Sequence, residues 1–127
     1  MLSENPEAVL ERLRDLCLAL PGADEKVSHG APAFHLADRM FAYFRHNHHG
    51  DGKTVVCVKT LGREEQDMLI EVDPELYSWP AYIGSGGWIA MNLEPPDTDW
   101  AHVGNRVRAS YDLAGARRKP PARRFQP

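Results

Sequence analysis

The chain has 127 residues, 43% of them hydrophobic and 26% charged, the composition of one globular domain able to bury about two-thirds of its unfolded surface. No run approaches the roughly 18 apolar residues of a membrane span, and the acidic start, Met1 to Glu7, lacks the basic and apolar regions of a signal peptide. The net charge of −3 hides a division: Arg117, Arg118, Lys119, Arg123 and Arg124 give residues 113–127 a charge of +5, leaving −8 on residues 1–112.

A cytoplasmic location without membrane contact is therefore expected, and a polyanion should meet the basic end first. Two cysteines, Cys17 and Cys57, make no disulfide framework, and each lies in an apolar pattern where a thiol behaves as a small hydrophobe.

The first helix is predicted from Asn5, a cap, through Pro6 at the first helical position. Val9, Leu10, Leu13, Leu16, Cys17 and Leu20 fall on one face, and Pro21-Gly22 stops the helix. Lys26 to His29 is then short and extended, with Gly30-Ala31-Pro32 as a corner and Ala33 to Leu36 as the next strand. A tight connection at Ala37-Asp38-Arg39 leads into Met40 to His46, which is aromatic on both faces. The polar loop Asn47 to Gly52 returns the chain through Thr54 to Lys59.

A second helix is predicted between Gly62 and Val72. Glu65, Met68, Leu69 and Val72 form its buried face, and Glu64, Asp67 and Glu71 its acidic outer face. Leu76 to Ser85 reads as irregular, anchored by Trp79-Pro80 and Tyr82-Ile83. Trp88, Ala90 and Asn92 alternate with Ile89, Met91 and Leu93 in a last strand. Pro95 to Thr98 ends it and caps a final helix with Trp100, Val103, Val107 and Ser110-Tyr111 at helical spacing. Gly115 closes that helix. The expected fold is α+β: about five short antiparallel strands, N- and C-terminal helices packed on the sheet, and a short helix before the last strand. Residues 1–114 form the domain and 115–127 a basic, Pro-rich flexible tail.

The motifs Leu20-Pro21-Gly22-Ala23, His29-Gly30-Ala31-Pro32-Ala33-Phe34, Met40-Phe41-Ala42, Val58-Lys59, Gly87-Trp88 and Ser110-Tyr111-Asp112-Leu113 occur in an order that resembles the MmcQ/YjbR family of small bacterial proteins. The resemblance runs from about Pro6 to Leu113. It implies a compact α+β domain likened to the double-wing DNA-binding region of a phage transcription factor, and DNA binding without named catalytic residues. One departure stands out. The family often places a Lys or similar polar residue just before the Gly-Trp pair, where this chain has Gly84-Ser85-Gly86-Gly87-Trp88.

No catalytic constellation emerges, so no catalytic residue, cofactor or metal is assigned. His29, beside Gly30 at a bend, either titrates near a ligand or plugs the turn as a polar ring. His46, His48, His49 and Asp51 have some metal-ligand character, but a zinc site needs three or four convergent ligands, and a solvated loop explains them as well. Gly84 to Gly87 is either a backbone nest for an anion or a flexible turn; it matches no nucleotide-binding fingerprint. A Ser85-His29-Asp24 triad has no nucleophile-elbow motif behind it.

The leading expectation is weak, largely sequence-independent binding of double-stranded DNA. It would use Lys59, Arg63, Arg106, Arg108, Arg117, Arg118 and Lys119 through phosphate contacts. Against it stand a small-molecule or phosphate-ligand protein with a cleft near His29, Lys26, Lys59, Ser85 and Trp88, and an adaptor using the acidic face of Glu64 to Glu71. Each has a bland counterpart in an ordinary solvated surface. A monomer is the default.

Overall fold

A computed structural model describes residues 5–118. Helix α1 spans Pro6–Leu18, and the Asn5 side chain accepts a hydrogen bond from the Ala8 amide at 2.8 Å, with Pro6 at the first position. Strands β1 (Ala23–Ser28), β2 (Ala31–Leu36), β3 (Arg39–His46) and β4 (Thr54–Lys59) follow as a meander. Helix α2 (Arg63–Val72), the two-residue strand β5 (Tyr77–Ser78), strand β6 (Trp88–Asn92) and helix α3 (Trp100–Arg118) complete the order. The six strands form one antiparallel sheet in the order β1-β2-β3-β4-β6-β5.

The expected α+β architecture is present, with one strand more than the sequence indicates. Tyr77 and Ser78, in the stretch expected to be irregular, pair with Met91 and Ala90. Two residues are too few to show a period of two, so this strand leaves no pattern in the sequence.

One face of the sheet carries the main core: Phe34, Phe41, Phe44, Val56, Val58, Ile89 and Met91 pack with Val9, Leu13 and Cys17 of α1 and Val103 and Val107 of α3. The opposite face holds a smaller cluster, Ala33, Tyr43, Cys57 and Ala90, flanked by Met40, Ile83 and Trp88. The pairing register sets Lys26, Ala33, Tyr43, Cys57, Ala90 and Ser78 in one cross-strand row on this second face. Ile83, from the 79–87 segment, packs against this face.

Several boundaries move, each for a local reason. The corner at Gly30-Ala31-Pro32 is instead a two-residue hairpin loop, His29-Gly30, closed by the Ser28–Ala31 pair. His29 and Gly30 have φ of 52° and 81°, as a primed turn between twisted strands requires. Pro32 sits inside β2 because the closing pair exchanges its hydrogen bonds at Ala31. The Pro32 nitrogen therefore points away from β1, and pairing with β3 begins only at Ala33.

Helix α2 buries Gln66 and Leu69, while Met68 and Val72 are 51% and 74% exposed; its buried face is rotated from the expected one. The cap of α3 is Asp99, whose carboxylate accepts from the His102 amide at 3.2 Å, and Thr98 bonds Pro95 instead. Gly115 does not close α3, which runs on to Arg118. A Cβ at this position would make only ordinary contact with Leu36, so the glycine is a tolerated helix-interior residue and not a stop. No helix among the described residues is long and apolar enough to cross a membrane.

Candidate functional site

The C-terminal end of β4 and the N-terminal end of β6 lie side by side, with Lys59 paired to Trp88. Two adjoining open clefts meet at this end of the sheet. The larger, about 510 Å³, is lined by Lys59, Arg63, Gln66, Trp79 and Ser85 to Gly87. The smaller, about 230 Å³, is lined by Arg39, Met40, Lys59, Trp88 and Ser110. Leu113 of α3 borders both.

Three buried polar side chains build this region. Ser110 donates to the Phe41 carbonyl at 2.6 Å and accepts from the Lys59 amide at 2.9 Å, tying α3 to the ends of β3 and β4. Gln66 donates from Nε2 to the carbonyls of Gly84 and Trp88, each at 2.7 Å, and so fixes α2 to the 84–88 turn. Thr60 donates to the Gly87 carbonyl at 2.7 Å. The cleft is thus framed by side chain–backbone bonds in water-poor surroundings, where leaving a partner unpaired is expensive.

Cations and indoles alternate along the walls. The Lys59 ammonium lies 5.5 Å from the Trp88 ring centre, and the Arg63 guanidinium 5.2 Å from that of Trp79. Both are within cation–π range. Arg63 also spans Asp67 at 3.1 Å in an exposed pair. Gly87 gives the Lys59 stem its room, since a Cβ there would come within 3.3 Å of Lys59 Cε. The cation beside Trp88 thus comes from the neighbouring strand, β4, and not from the residue before Gly87, which here is Gly86. Arg39, half-buried at the second cleft, has an Nε without a hydrogen-bond partner among the described residues.

The structure brings Lys59, Arg63, Ser85 and Trp88 together. It sets the other sequence candidates elsewhere. His29 is exposed in the β1–β2 turn, at the sheet end opposite Lys59. Its backbone conformation accounts for a residue tolerant of positive φ at that position. Lys26 is exposed on the edge strand β1, three strands from Lys59, so the two share no cleft. Arg106 is drawn into a mostly buried pair with Glu65 at 3.3 Å, joining α3 to α2. Arg108 pairs with Asp112 at 3.1 Å on the exposed side of α3. Arg117 and Arg118 form the last turn of α3, while Lys119 and the rest of the basic segment lie outside the described residues.

The histidine-rich loop is also accounted for by packing. His46 bonds Thr54 at 2.8 Å, and His48 and His49 gather around Tyr82 with ring centres 6.1 and 5.5 Å away. Among the described residues no group of His, Cys, Asp or Glu has the arrangement to hold a metal ion. Sequence reasoning missed Arg39, Gln66 and Trp79 as builders of the cleft. A Trp-Pro step five residues before the glycine-rich turn was a usable signal for the last; Arg39 and Gln66 gave none.

Three comparisons with known proteins bear on this geometry. The YjbR family model matches residues 18–113. A crystal structure of the Deinococcus radiodurans protein DR2400, assigned to the domain family DUF419, superposes with a TM-score of 0.71 at 20% identity, covering 92% of this chain and 86% of that one. A search of curated proteins returned no match.

Proposed function

The chain belongs to the YjbR family, and from the cationic cleft at the end of its sheet we propose that it binds DNA, weakly and with little regard to sequence, through phosphate contacts from Lys59 and Arg63 and from the basic residues at and beyond the end of α3. The observation that carries this reading is where α3 ends. Leu113 lines the same cleft as Lys59 and Arg63, and at 1.5 Å per helical residue Arg118 lies only about 8 Å further along the axis. The backbone of α3 thus runs on to the start of the basic segment, which in sequence carries +5 on an otherwise acidic chain, a charge distribution that favours attraction of a polyanion to this segment. Arg106 is held in a mostly buried pair with Glu65 and adds little to this contact, while Arg108, in an exposed pair with Asp112, lies outside the residues that line the cleft. Among the described residues the cleft presents cations and not a helix face shaped for a groove, which supports contact through phosphates over readout of base edges.

The test is fluorescence anisotropy of a labelled duplex at several salt concentrations. Affinity should fall steeply with salt, and replacing Lys59 and Arg63 together by Ala should flatten the log–log slope by about two, one phosphate per side chain. Replacing Arg117, Arg118 and Lys119 by Gln should flatten it by about three. Salt-insensitive binding, or no binding at 20 mM salt, refutes the reading.

A further inference from the structure

Resting on the DNA-binding reading, we infer that the cleft is built for an unpaired nucleotide, a base stacked on Trp79 with its phosphate on Lys59 and Arg63, so that single-stranded DNA is the preferred ligand over duplex. Phosphate contacts alone need only cations. The cleft adds two indoles, each within 5.5 Å of a cation, and one of them, Trp79, remains 44% exposed. An indole held at the surface of a basic cleft is the feature that sequence-tolerant single-strand binders use, because every base offers a π face.

The fit to a single strand follows from what each ligand exposes. In a duplex the bases are paired and stacked inside, and only phosphates reach a concave wall; Trp79 would then have nothing to stack on. A single strand can turn one base into the cleft while its phosphate meets the cations beside it. The volume of about 510 Å³ falls in the range of pockets that hold small organic ligands, enough for a nucleotide and far too narrow for a duplex.

The seat of Trp79 is fixed. A Cβ at Gly84 would stand 2.2 Å from its Nε1, so the indole lies directly on that glycine with one side closed. Arg63 lies near the ring as well. It is 75% exposed and held by a surface pair with Asp67, the kind of interaction that yields at little cost. A base arriving at Trp79 can therefore displace the guanidinium, which is then available to the base's own phosphate.

The experiment compares a labelled single-stranded 12-mer, a blunt duplex of the same sequence and that duplex with a four-nucleotide overhang, at 20 mM salt. The expected result is about ten-fold tighter binding of the single strand and the overhang than of the blunt duplex, the scale of one stacked base. Quenching of tryptophan emission should accompany the two tighter ligands only. Trp79→Ala should abolish the preference, so that within that variant the single strand and the overhang bind no tighter than the blunt duplex, and Trp79→Phe, which keeps a stacking face, should retain most of it. Equal affinity for the three ligands, with normal salt dependence, overturns the single-strand inference and leaves the phosphate reading standing. Equal losses from the Ala and Phe variants on all three ligands also overturn it. No binding of any ligand at 20 mM salt overturns both.

Discussion

Gly84→Ala isolates the contact on which the cleft depends. Gly84 is buried, its φ is not positive, and its backbone accepts alanine, so the perturbation is purely steric. The new Cβ would sit 2.2, 2.4 and 2.8 Å from Nε1, Cε2 and Cδ1 of Trp79, which forces the indole off its seat. Trp79 is 44% exposed, so eviction exposes somewhat more than half of a large aromatic side chain, roughly 130 Å² of the 150–250 Å² such rings bury. At about 25 cal/mol per Å² this is about 3 kcal/mol, an upper figure because the unfolded chain already hides some of that area. A loss of about 2–3 kcal/mol is expected. For a domain of this size it lowers Tm by roughly 8–12 °C and shifts the urea midpoint without changing the slope. Tryptophan emission should move to the red. The decisive comparison is a double-mutant cycle with Trp79→Ala, in which the clash no longer exists and the cost of Gly84→Ala should nearly vanish. Additive losses, or a Gly84→Ala protein as stable as the parent, would refute the argument.

Three further outcomes follow from other parts of the molecule. Ser110→Ala should cost about 2–4 kcal/mol in urea unfolding, because it strands both the Phe41 carbonyl and the Lys59 amide in a buried place; a loss under about 1 kcal/mol would mean that water or a strand shift replaces the hydroxyl. Burial lowers the His48 pKa below its ordinary 6.5, with Arg45 and His49 adding in the same direction. Below that value the unfolded chain binds the extra proton and the folded one resists it, so stability should be full above about pH 6.5 and decline as pH falls. His48→Asn should flatten that decline in pH-dependent melts. Burial pushes both Cys17 and Cys57 thiols up to about 12, so neither should react with an alkylating reagent at about pH 8 until the protein is unfolded; one thiol labelled in the native state would contradict the packing around it.

The parts of the fold that can be read from the sequence are those where one physical cause acts alone. The α1 face from Val9 to Cys17 was legible because a single apolar stripe met a single core, although the helix ends at Leu18, before the expected Leu20. Strand β6 was legible because Ile89, Met91 and Leu93 face that core while Trp88 and Ala90 do not. Helix α2 is the opposite case. Ten residues give two competing faces that share Leu69, and apolarity alone favours Met68 and Val72. The observed face is decided instead by Gln66, whose amide satisfies the backbone carbonyls of Gly84 and Trp88, far along the chain. A hydrogen-bond requirement of that kind leaves no period in the sequence.

The candidate site was half legible for the same reason. Lys59 and Trp88 stood out by their motifs, and antiparallel pairing brings them side by side. That Arg63 and Trp79 join them while His29 does not depends on strand register and on how closely an indole can lie on a glycine, both properties of the assembled sheet. Arg106 makes the point from the other side. As a sequence symbol it is equivalent to Arg63, yet a carboxylate on the neighbouring helix takes it into the α2–α3 joint and leaves Arg63 as the exposed guanidinium at the mouth of the cleft. Of these arginines, Arg106 is committed to holding two helices together, whereas the exposed pairs of Arg63 and Arg108 leave guanidinium groups that a phosphate can claim. Only groups of that second kind can contribute to the salt dependence that the proposed DNA binding would show.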